Sequence, residues 1–558
     1  MPQQDRPWLP NYPSGIPANI NPDSYPTLIS MLEETFKTYK NRPAFSNMGK
    51  TLTFGEVDKL SKQFGAYLNS RGLKVGDKIA LMMPNLLQYP IALFGALRAG
   101  VIVVNTNPLY TPREMRHQFT DAGVKGVIIS ENYAANLQKV LGDTQIDVVI
   151  VTSLGEMLGW AKKKLTNFVV RSIKGMVPKY DIPNTVNFTE ALQQGKKFSL
   201  PTFQGNPNDT ILLQYTGGTT GVAKGAMLTN RNMVANMEQF SAWMQPFLKD
   251  KETALCPLPL YHIFAFMVNC LSIFKSGGHN VLITNPRDLS TVVKAYKDYP
   301  ISIMVGVNTL YNALLNDKGF QQLDFTNLHI AAGGGMAVQR AVAEGWQKLT
   351  GCALSEGFGM TELSPVASSN PIDGTGRIGT IGLPIPSTDM RITDEAGHPL
   401  PVGEVGEIQV KGPQVMKGYY NRPDATAETI TEDGWLKTGD IGKMSEDGFF
   451  QIVDRKKDMI LVSGFNVYPN EIEDVIAGHA KVLEVAAVGQ PHEKSGEVVK
   501  IFVVKKDKSL SEKELIEFCR ENMTGYKVPK TVVFRDELPK SNVGKILRRK
   551  LRDEEKAV

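Results

Sequence analysis

The chain has 558 residues, of which 42% are hydrophobic and 21% are charged, and its formal net charge is +5. This composition is typical of folded globular proteins and excludes disordered and collagen-like classes. A charge excess this small over so long a chain does not indicate a nucleic-acid-binding protein. The length exceeds that of one hydrophobic core, so we expect more than one domain.

The four cysteines are widely separated and form no CxxC pair; they are Cys256, Cys270, Cys352 and Cys519. This spacing argues against a disulfide framework and against a zinc site, and it fits a reducing cytoplasm. The N-terminus lacks a basic and then apolar signal segment, and no apolar stretch is long enough to cross a membrane. We therefore predict a cytoplasmic protein without membrane spans.

From about Leu52 to Gly359, short β-branched runs alternate with longer helical stretches. This alternation is typical of parallel sheets covered by helices and predicts an α/β body. The predicted strands are Lys78 to Met83, Asp147 to Val151, Thr210 to Tyr215, Asn280 to Thr284, Ile301 to Val307 and Leu328 to Ala332.

Within this body, residues 158–176 can be drawn as an amphipathic helix. Its apolar face carries Leu158, Ala161, Leu165, Phe168, Val169 and Met176, and its basic face carries Lys163, Lys164, Arg171 and Lys174. Such a helix can lie among lipid headgroups, which would make the protein a peripheral membrane contact. A helix packed on its own domain has the same pattern, and we favour that interpretation.

A glycine- and threonine-rich segment, residues 215–225, follows the predicted strand Thr210 to Tyr215 and precedes a helical run that begins near Asn230. Glycines let backbone N–H groups approach an anion, hydroxyl groups add donors, and Lys224 supplies a positive charge. The segment is therefore predicted to hold phosphate groups. It lacks the GxxxxGK[ST] spacing, which disfavours an ordinary P-loop NTPase.

After Gly374 the sequence changes to short strands separated by turn residues, which predicts a β-rich subdomain over about 374–453. A charged run, residues 454–458, then precedes a compact α+β stretch of the usual domain size. Its predicted elements are the helices Glu471 to Gly478 and Ser511 to Met523 and the strands Val482 to Val488, Val498 to Val504 and Thr531 to Phe534.

Four motifs in this order make the chain resemble the adenylate-forming superfamily over nearly its whole length. They are the segment 215–225, GFGMTE at 357–362, the run from DGWLKTGD at 433 to DRKK at 454–457, and LPKSNVGKI at 538–546. The third run is similar to the signature of the fatty acyl-CoA synthetases within the superfamily. The resemblance implies two parallel-sheet α/β subdomains and the β-rich subdomain in residues 1–453, a hinge at 454–458, and a mobile α+β lid domain at 459–558.

The same resemblance implies the roles of individual residues. Lys545, Glu362 and Lys224 are the expected catalytic residues, with Lys545 against the α-phosphate and carboxylate, and Lys457 is the expected hinge residue. Thr216 and Glu362 are expected to hold Mg²⁺, a hard ion that prefers oxygen ligands. The expected ATP and AMP ligands are Thr216, Gly217, Gly218, Thr219, Thr220, Gly221, Gly335, Gly357, Phe358, Gly359, Met360, Thr361, Asp440 and Arg455.

The resemblance also implies which residues bind the carboxylic acid and which guide the thiol. The expected acyl pocket comprises Tyr261, His262, Phe266, Val307, Gly333 and Gly334. A path for the pantetheine thiol of coenzyme A (CoA) is expected along Gly464 and Phe465 once the lid has rotated. A lone histidine is more often a packed residue than a catalyst, so His262 is interpreted as pocket lining.

The implied reaction is ATP-dependent conversion of a long-chain fatty acid to its CoA thioester through an acyl-adenylate. Mg²⁺ is the implied cofactor, and ATP and CoA are the implied co-substrates. Two alternatives remain within the superfamily: an acyl-AMP ligase, or a CoA ligase for a medium-chain or aromatic acid. A nonenzymatic nucleotide or lipid sensor is a third possibility, and the presence of Lys545, Glu362, Asp440 and Lys224 argues against it.

Overall fold

A computed structural model describes residues 6–216, 223–492 and 495–556 of the chain. The described residues form four β-sheets covered by helices, with two large, mainly parallel sheets in the body. The predicted α/β class is therefore confirmed. The exact domain limits and the hinge at 454–458 remain predictions.

The first large sheet has nine strands among the described residues, and its central neighbours are parallel. From one edge to the other they are Leu383–Pro384, Val366–Ser369, Leu354–Gly359, Ile330–Gly333, Ile303–Gly306, Thr253–Cys256, His279–Leu282, Pro43–Asn47 and Lys50–Thr53. Strands 303–306, 330–333 and 354–359 all lead into the same cleft.

The second large sheet has eight described strands. Their order is Gly418–Tyr419, Lys224–Thr229, Thr210–Thr216, Ile102–Asn105, Lys78–Met82, Val124–Ser130, Val148–Thr152 and Val186–Asn187. The predicted strand Thr210 to Tyr215 and the helical run predicted to begin near Asn230 are both confirmed, as Thr210–Thr216 and Asn230–Met244. A strand that we did not predict, Lys224–Thr229, pairs antiparallel with Thr210–Thr216, and the helix starts only after it, capped by Thr229. The two strands on either side of residues 217–222 thus pair as a hairpin, and residues 217–222 themselves lie outside the described residues.

Two smaller sheets complete the described chain. The β-rich subdomain holds the antiparallel strands Asp389–Thr393, Gly406–Lys411, Leu436–Met444 and Phe450–Arg455. The C-terminal sheet holds Phe465–Val467, Ile460–Val462, Gly496–Lys505, Val482–His492 and Thr531–Arg535.

Helices cover the sheets, and several begin at a threonine whose side chain accepts a backbone N–H of the first turn. The α-helices described are Leu28–Thr38, Phe54–Ser70, Gln88–Arg98, Pro112–Ala122, Ala134–Gln138, Trp160–Phe168, Phe188–Gly195, Asn230–Met244, Ile263–Ala265, Leu289–Asp298, Asn308–Leu315, Lys318–Gln321, Arg340–Thr350, Pro423–Thr429, Pro469–Ala477, Glu512–Asn522 and Arg548–Lys556. Two π-helical segments, Val169–Ile173 and Phe266–Ile273, continue the α-helices Trp160–Phe168 and Ile263–Ala265.

The body and the C-terminal domain have separate apolar cores. Buried side chains of the two large sheets and the β-rich subdomain belong to one extensive cluster and its two satellites. The C-terminal domain packs its own clusters, with Ile472, Ile501 and Leu515 at the centre of the larger one. Because neither core depends on residues of the other, the two parts can change their relative orientation without exposing a core.

The favoured expectation for residues 158–176, a helix whose apolar face packs on its own domain, is wrong for most of that face. Leu158 is buried, but Leu165, Phe168 and Met176 are 65%, 58% and 49% exposed. The helix also starts later than drawn, at Trp160. Its inward side is occupied instead by Asn167 and Val170.

No helix within the described residues has both the length and the apolar composition needed to cross a membrane.

Candidate active site

A cleft of about 1800 Å³ separates the body from the C-terminal domain. It lies beyond the carboxyl ends of strands 330–333 and 354–359, the usual place for a ligand on an open parallel sheet. The β-rich subdomain and the segment 541–549 form its other walls. The cleft therefore brings together residues from all four sequence motifs.

The glycine wall of the cleft accommodates the Lys545 side chain. Gly335 has a φ of +77°, and a Cβ added there would lie 3.4 Å from the Cε atom of Lys545. Gly544, next to the lysine, also has a positive φ and presents its carbonyl to the Thr309 hydroxyl group, which donates a 2.9 Å hydrogen bond. Lys545, carried by the C-terminal domain, is thus positioned in the cleft of the body.

The charge of Lys545 is sensitive to its surroundings. Burial, with help from the nearby cations Arg455 and Lys457, lowers the pKa of its ammonium group to about 8. Asp440 and Glu362 act in the opposite direction. An incoming polyanion would favour the charged form in the same way, so the cation is prepared for a phosphate ligand.

Glu362 lies in a buried turn between strands 354–359 and 366–369. The Tyr419 hydroxyl donates a 2.7 Å hydrogen bond to its Oε1 atom, and the Met416 N–H donates to its backbone carbonyl. Burial raises the pKa of the Glu362 carboxyl, while Tyr419 and Lys224 oppose that shift. The Lys224 ammonium group lies 4.6 Å from the centre of the Tyr419 ring, so a cation, a phenol and a carboxylate share one corner.

Asp440 and Arg455 face each other across neighbouring antiparallel strands of the β-rich subdomain. The Arg455 Nε atom lies 3.5 Å from the Asp440 Oδ1 atom. Burial raises the pKa of Asp440, and Arg455 counteracts this effect. The pair presents a carboxylate and a guanidinium group to the cleft, which suits hydrogen bonding to the hydroxyl groups of a sugar.

The predicted hinge is held by the last helix, Arg548–Lys556. Arg548 forms two hydrogen bonds to Glu473, of 2.8 and 2.6 Å, and its Nη1 atom lies 3.5 Å from the buried Asp454. Arg552 donates to the Lys457 carbonyl and to the Asp458 carboxylate. Burial alone would lower the pKa of Arg548, but the carboxylates of Glu473 and Asp454 outweigh this effect and raise that pKa.

The hinge lysine itself faces the cleft. Burial and the nearby Arg455 lower the pKa of the Lys457 ammonium group to about 8, while Asp458 and Asp440 oppose that shift. Lys457 and Lys545 are thus two cations with similarly weakened charge in the same cleft.

Four of the six residues expected in the acyl pocket line one side of the cleft, which is called its acid side. Tyr261, His262, Gly333 and Gly334 line the cleft as expected. Burial and Lys545 lower the pKa of His262 to about 3, so its ring is neutral near pH 7. A neutral buried ring agrees with the interpretation of His262 as lining.

Two expected pocket residues lie elsewhere. Phe266 belongs to the apolar core of the body and is 1% exposed, whereas Phe264 lines the cleft. The helix that starts at Ile263 puts positions 264 and 266 on different sides, which the sequence run did not reveal. Val307 lies behind the lining, between Gly335 and Gly544.

The predicted CoA path is outside the cleft in this arrangement of the domains. Gly464 and Phe465 do not belong to the described lining, and Phe465 is 55% exposed and stacked on Tyr526 at 4.8 Å. The role expected for these residues, a path for the pantetheine thiol, requires rotation of the C-terminal domain, and it stays a prediction.

The phosphate segment is only partly described. Thr216 and Lys224, at its two ends, are paired across the hairpin and line the cleft. Gly217, Gly218, Thr219, Thr220 and Gly221 lie outside the described residues. Gly357, Phe358, Gly359, Met360 and Thr361 all line the cleft, and a Cβ on Gly359 would lie 2.1 Å from the Pro365 carbonyl oxygen.

Two cleft residues escaped the sequence analysis. Tyr419 binds Glu362 although 57 positions separate them, and no local pattern predicts that contact. Glu356 accepts a hydrogen bond from the Val338 N–H, and burial raises its pKa to about 8. Its place directly before Gly357 was a usable signal, because a carboxyl group within a largely buried strand is unusual.

Comparisons with known proteins agree with this arrangement. Residues 32–420 match the family model of the AMP-binding enzymes, and residues 471–545 match that of the AMP-binding enzyme C-terminal domain. A long-chain-fatty-acid–CoA ligase of Escherichia coli O6:H1 is 58% identical over 549 residues, covering 98% of each chain. A 4-coumarate–CoA ligase of Pinus taeda is 31% identical and covers 97% of each.

The fold has a counterpart among solved structures. ATP-bound MatB from Rhodopseudomonas palustris superimposes with a TM-score of 0.81 at 27% identity, covering 95% of this chain and 99% of that one. Since the first family model spans well over half of the sequence, and the E. coli relative matches it from end to end, this chain belongs to the AMP-binding, adenylate-forming enzyme family.

Proposed function

We propose that this protein converts long-chain fatty acids to acyl-CoA, with ATP and CoA as co-substrates and AMP and pyrophosphate as products. The observation that carries the proposal is the 58% identity, over 98% of both chains, to a long-chain-fatty-acid–CoA ligase. The cleft supports it independently, because cations and carboxylates from separate parts of the chain converge there.

In the first half-reaction, a carboxylate oxygen of the fatty acid forms a bond to the α-phosphorus of ATP. The bond from that phosphorus to the bridging oxygen of the β-phosphate breaks, and pyrophosphate leaves. Two anions must meet for this step, so fixed positive charge lowers its barrier. Lys545 and Lys224 supply that charge, and Asp440 with Arg455 positions the ribose.

In the second half-reaction, the thiol sulfur of CoA bonds to the acyl carbon, and the bond from that carbon to the AMP oxygen breaks. The thiol proton passes to water, and AMP leaves as the phosphate anion. Lys545 is not needed here, because no phosphorus centre is attacked. Rotation of the C-terminal domain about Lys457 would withdraw Lys545 and bring Gly464 and Phe465 to the cleft, a use of domain motion as gating.

A magnesium ion fits the donor set of the cleft. Among the described residues there is no group of three or more histidine, cysteine or acidic side chains that could enclose a metal. Mg²⁺ bound with a nucleotide usually takes one or two protein oxygens, its other ligands being phosphates and water. The Glu362 carboxylate, oriented by Tyr419, and the Thr216 hydroxyl would be those oxygens. Once bound, the ion would offset phosphate charge.

The proposal includes the cellular setting. All four cysteines are free and buried, which suits a reducing compartment such as the cytoplasm. Fatty acids partition into bilayers, so we also propose peripheral contact with the inner face of the membrane. We expect no nucleic acid partner.

The test is AMP release measured with acids of graded length, with and without CoA. Each buried methylene contributes about 0.8 kcal/mol, so KM should fall as the acid lengthens until the channel is filled. The proposal requires CoA-dependent turnover of palmitate and little turnover of coumarate. A preference for coumarate or for medium-chain acids would replace the substrate class, and adenylate formation without CoA transfer would indicate an acyl-AMP ligase.

A further inference from the structure

An exposed apolar patch lies at one end of the second large sheet. Trp160 and Ile173 are 75% and 68% exposed, and Leu165, Phe168 and Met176 of the same segment are exposed as well. The other large apolar side chains that are exposed in the described chain are scattered over distant segments. A concentration of this kind within 17 residues marks an interaction site rather than ordinary surface.

The patch is held in place by the fold. The Asn167 side chain accepts a 2.9 Å hydrogen bond from the Gly155 N–H and donates one of 2.8 Å to the Ser153 hydroxyl. Arg171 pairs at 2.6 Å with Glu131, which is almost fully buried. The segment is therefore anchored through polar contacts while its large apolar side chains face outwards.

The charges around the patch have a single sign. Residues 157–180 contain six lysines and arginines and no aspartate or glutamate. Lys164 and Trp160 form a pair, with the ammonium group 4.3 Å from the ring centre. Lys162 extends the patch to the turn at Gly49, where an added Cβ would lie 3.0 Å from its Nζ atom. Lysine with tryptophan, phenylalanine and leucine is the composition of helices that lie in a headgroup layer.

The patch is joined to the acid side of the cleft. The Asn132 side chain donates a 3.0 Å hydrogen bond to the Met176 carbonyl, and Glu131 holds Arg171. The next residue, Tyr133, is close enough to Tyr261 of the cleft lining to contribute to its raised pKa, after burial. Residues 131 and 132 thus contact the patch, and Tyr133 lies near Tyr261, a residue of the predicted acyl pocket.

We propose that residues 160–176 form a docking surface for an anionic lipid bilayer. The apolar side chains enter the headgroup region, and the lysines pair with lipid phosphates. Resting on the proposed function, this surface would place the acid side of the cleft next to the membrane from which fatty acids are taken.

The experiment is co-sedimentation of the full-length protein with vesicles of phosphatidylcholine, alone or mixed in equal parts with phosphatidylglycerol. We expect binding to the mixed vesicles, weak binding to the neutral ones, and loss of binding as salt is raised. The triple variant Lys162→Glu, Lys164→Glu and Lys174→Glu should bind at least about tenfold more weakly. Phe168→Ser should also weaken binding.

Two matched controls use equally exposed residues outside the patch. The double variant Lys508→Glu and Lys513→Glu reverses exposed lysines of the C-terminal domain, and Phe198→Ser removes a phenylalanine that is 54% exposed. Both should bind vesicles as the unchanged protein does. Equal weakening by patch and control variants, or equal binding to both vesicle types, would overturn the proposal.

Self-association is the competing use of an apolar patch. Sedimentation velocity without vesicles separates the two uses, because a dimer that Phe168→Ser dissociates would assign the patch to a second copy of the chain. Pyrophosphate exchange with octanoate in solution reports the catalytic activity separately. Unchanged exchange in a variant that no longer binds vesicles supports the docking surface, whereas a protein that binds vesicles but activates no acid would contradict only the proposed function.

Discussion

The body and the C-terminal domain contribute different chemistry to the cleft. The body supplies two acidic groups, the buried Glu362 and the partly buried Asp440, on an extensive apolar core. The small domain supplies a cation, Lys545, and has a core of its own. The two faces meet through polar contacts, such as the 2.7 Å hydrogen bond from Asn312 to the Leu483 carbonyl and the 3.0 Å one from the Arg340 N–H to Asp474.

This difference teaches that substrate binding and charge neutralisation reside in separable parts of the molecule. Polar interfaces between domains are commonly reversible, whereas a shared apolar core is not. Mutations on the small domain, or at its contact with the body, should therefore affect one half-reaction selectively, and mutations of substrate-binding residues in the body should affect both.

The largest effect is expected from Lys545→Ala. We expect acyl-AMP formation to fall about a thousandfold, because the cation beside the reacting phosphate is lost. Thioester formation from supplied acyl-AMP should be largely unchanged. Lys540→Ala is the matched control, since Lys540 pairs with Glu484 at 2.6 Å outside the cleft lining. Equal loss of both half-reactions in Lys545→Ala would contradict the assignment.

The second prediction concerns the ion pairs that Arg548 forms with Asp454, in the predicted hinge, and with Glu473. Arg548→Ala leaves Asp454 and Glu473 buried without their cation, so the free energy of unfolding should decrease by about 3 kcal/mol. The control Arg116→Ala breaks an exposed pair with Asp143 and should change that free energy by less than about 1 kcal/mol. Denaturant unfolding measures the free energy of unfolding of each variant. Similar decreases in the two variants would show that the Arg548 ion pairs do not stabilise the fold.

The third prediction is a pH dependence. The pKa of Lys545 is lowered to about 8, so its charge is complete well below that pH and is lost above it. For the adenylation half-reaction, kcat/KM for ATP should fall above pH 8, by at most about tenfold per pH unit, because this parameter reports ionisation of the free enzyme. Lys545→Arg should remove the decline.

Lys457→Arg is the control for that experiment, because Lys457 has a similarly lowered pKa. It should retain the decline, since its ammonium group is assigned to the hinge. A decline that disappears in Lys457→Arg but persists in Lys545→Arg would exchange the roles of the two lysines.

The smallest effect is expected at the domain contact. Thr309→Val removes the hydrogen bond to the Gly544 carbonyl, worth about 1 kcal/mol, so adenylation should slow about fivefold while thioester formation is unaffected. Thr350→Val removes a hydroxyl that donates to the Trp346 carbonyl and accepts from the Cys352 N–H, away from the domain contact, and it should leave both rates unchanged. Equal slowing of both half-reactions by Thr309→Val would mean that the contact acts on the body itself.

Much of the fold could be predicted from local sequence patterns. The strand Thr210–Thr216 and the helix Glu512–Asn522 lie within a residue or two of their predicted bounds, because hydrophobic period and turn residues mark them. The strand Lys224–Thr229 was missed because its glycine and lysine also suit a phosphate loop. Only pairing with Thr210–Thr216 makes it a strand.

The parts that could not be predicted depend on contacts between distant segments. Tyr419 reaches Glu362 from another subdomain, and nothing near either residue indicates that contact. An amphipathic pattern does not reveal which face is inward, so the exposure of Phe168 could be known only from the structure. Phe264 and Phe266 differ in the same way, since the turn of a short helix decides which of them lines the cleft.

The most direct test of the central claim is exchange of labelled pyrophosphate into ATP, measured without CoA. The claim is that a cation carried by the C-terminal domain lets a fatty acid carboxylate attack the α-phosphorus. We predict exchange that requires a fatty acid and that disappears in Lys545→Ala but not in Lys540→Ala. Absence of exchange with every fatty acid tested, or exchange that persists in Lys545→Ala, would contradict the claim.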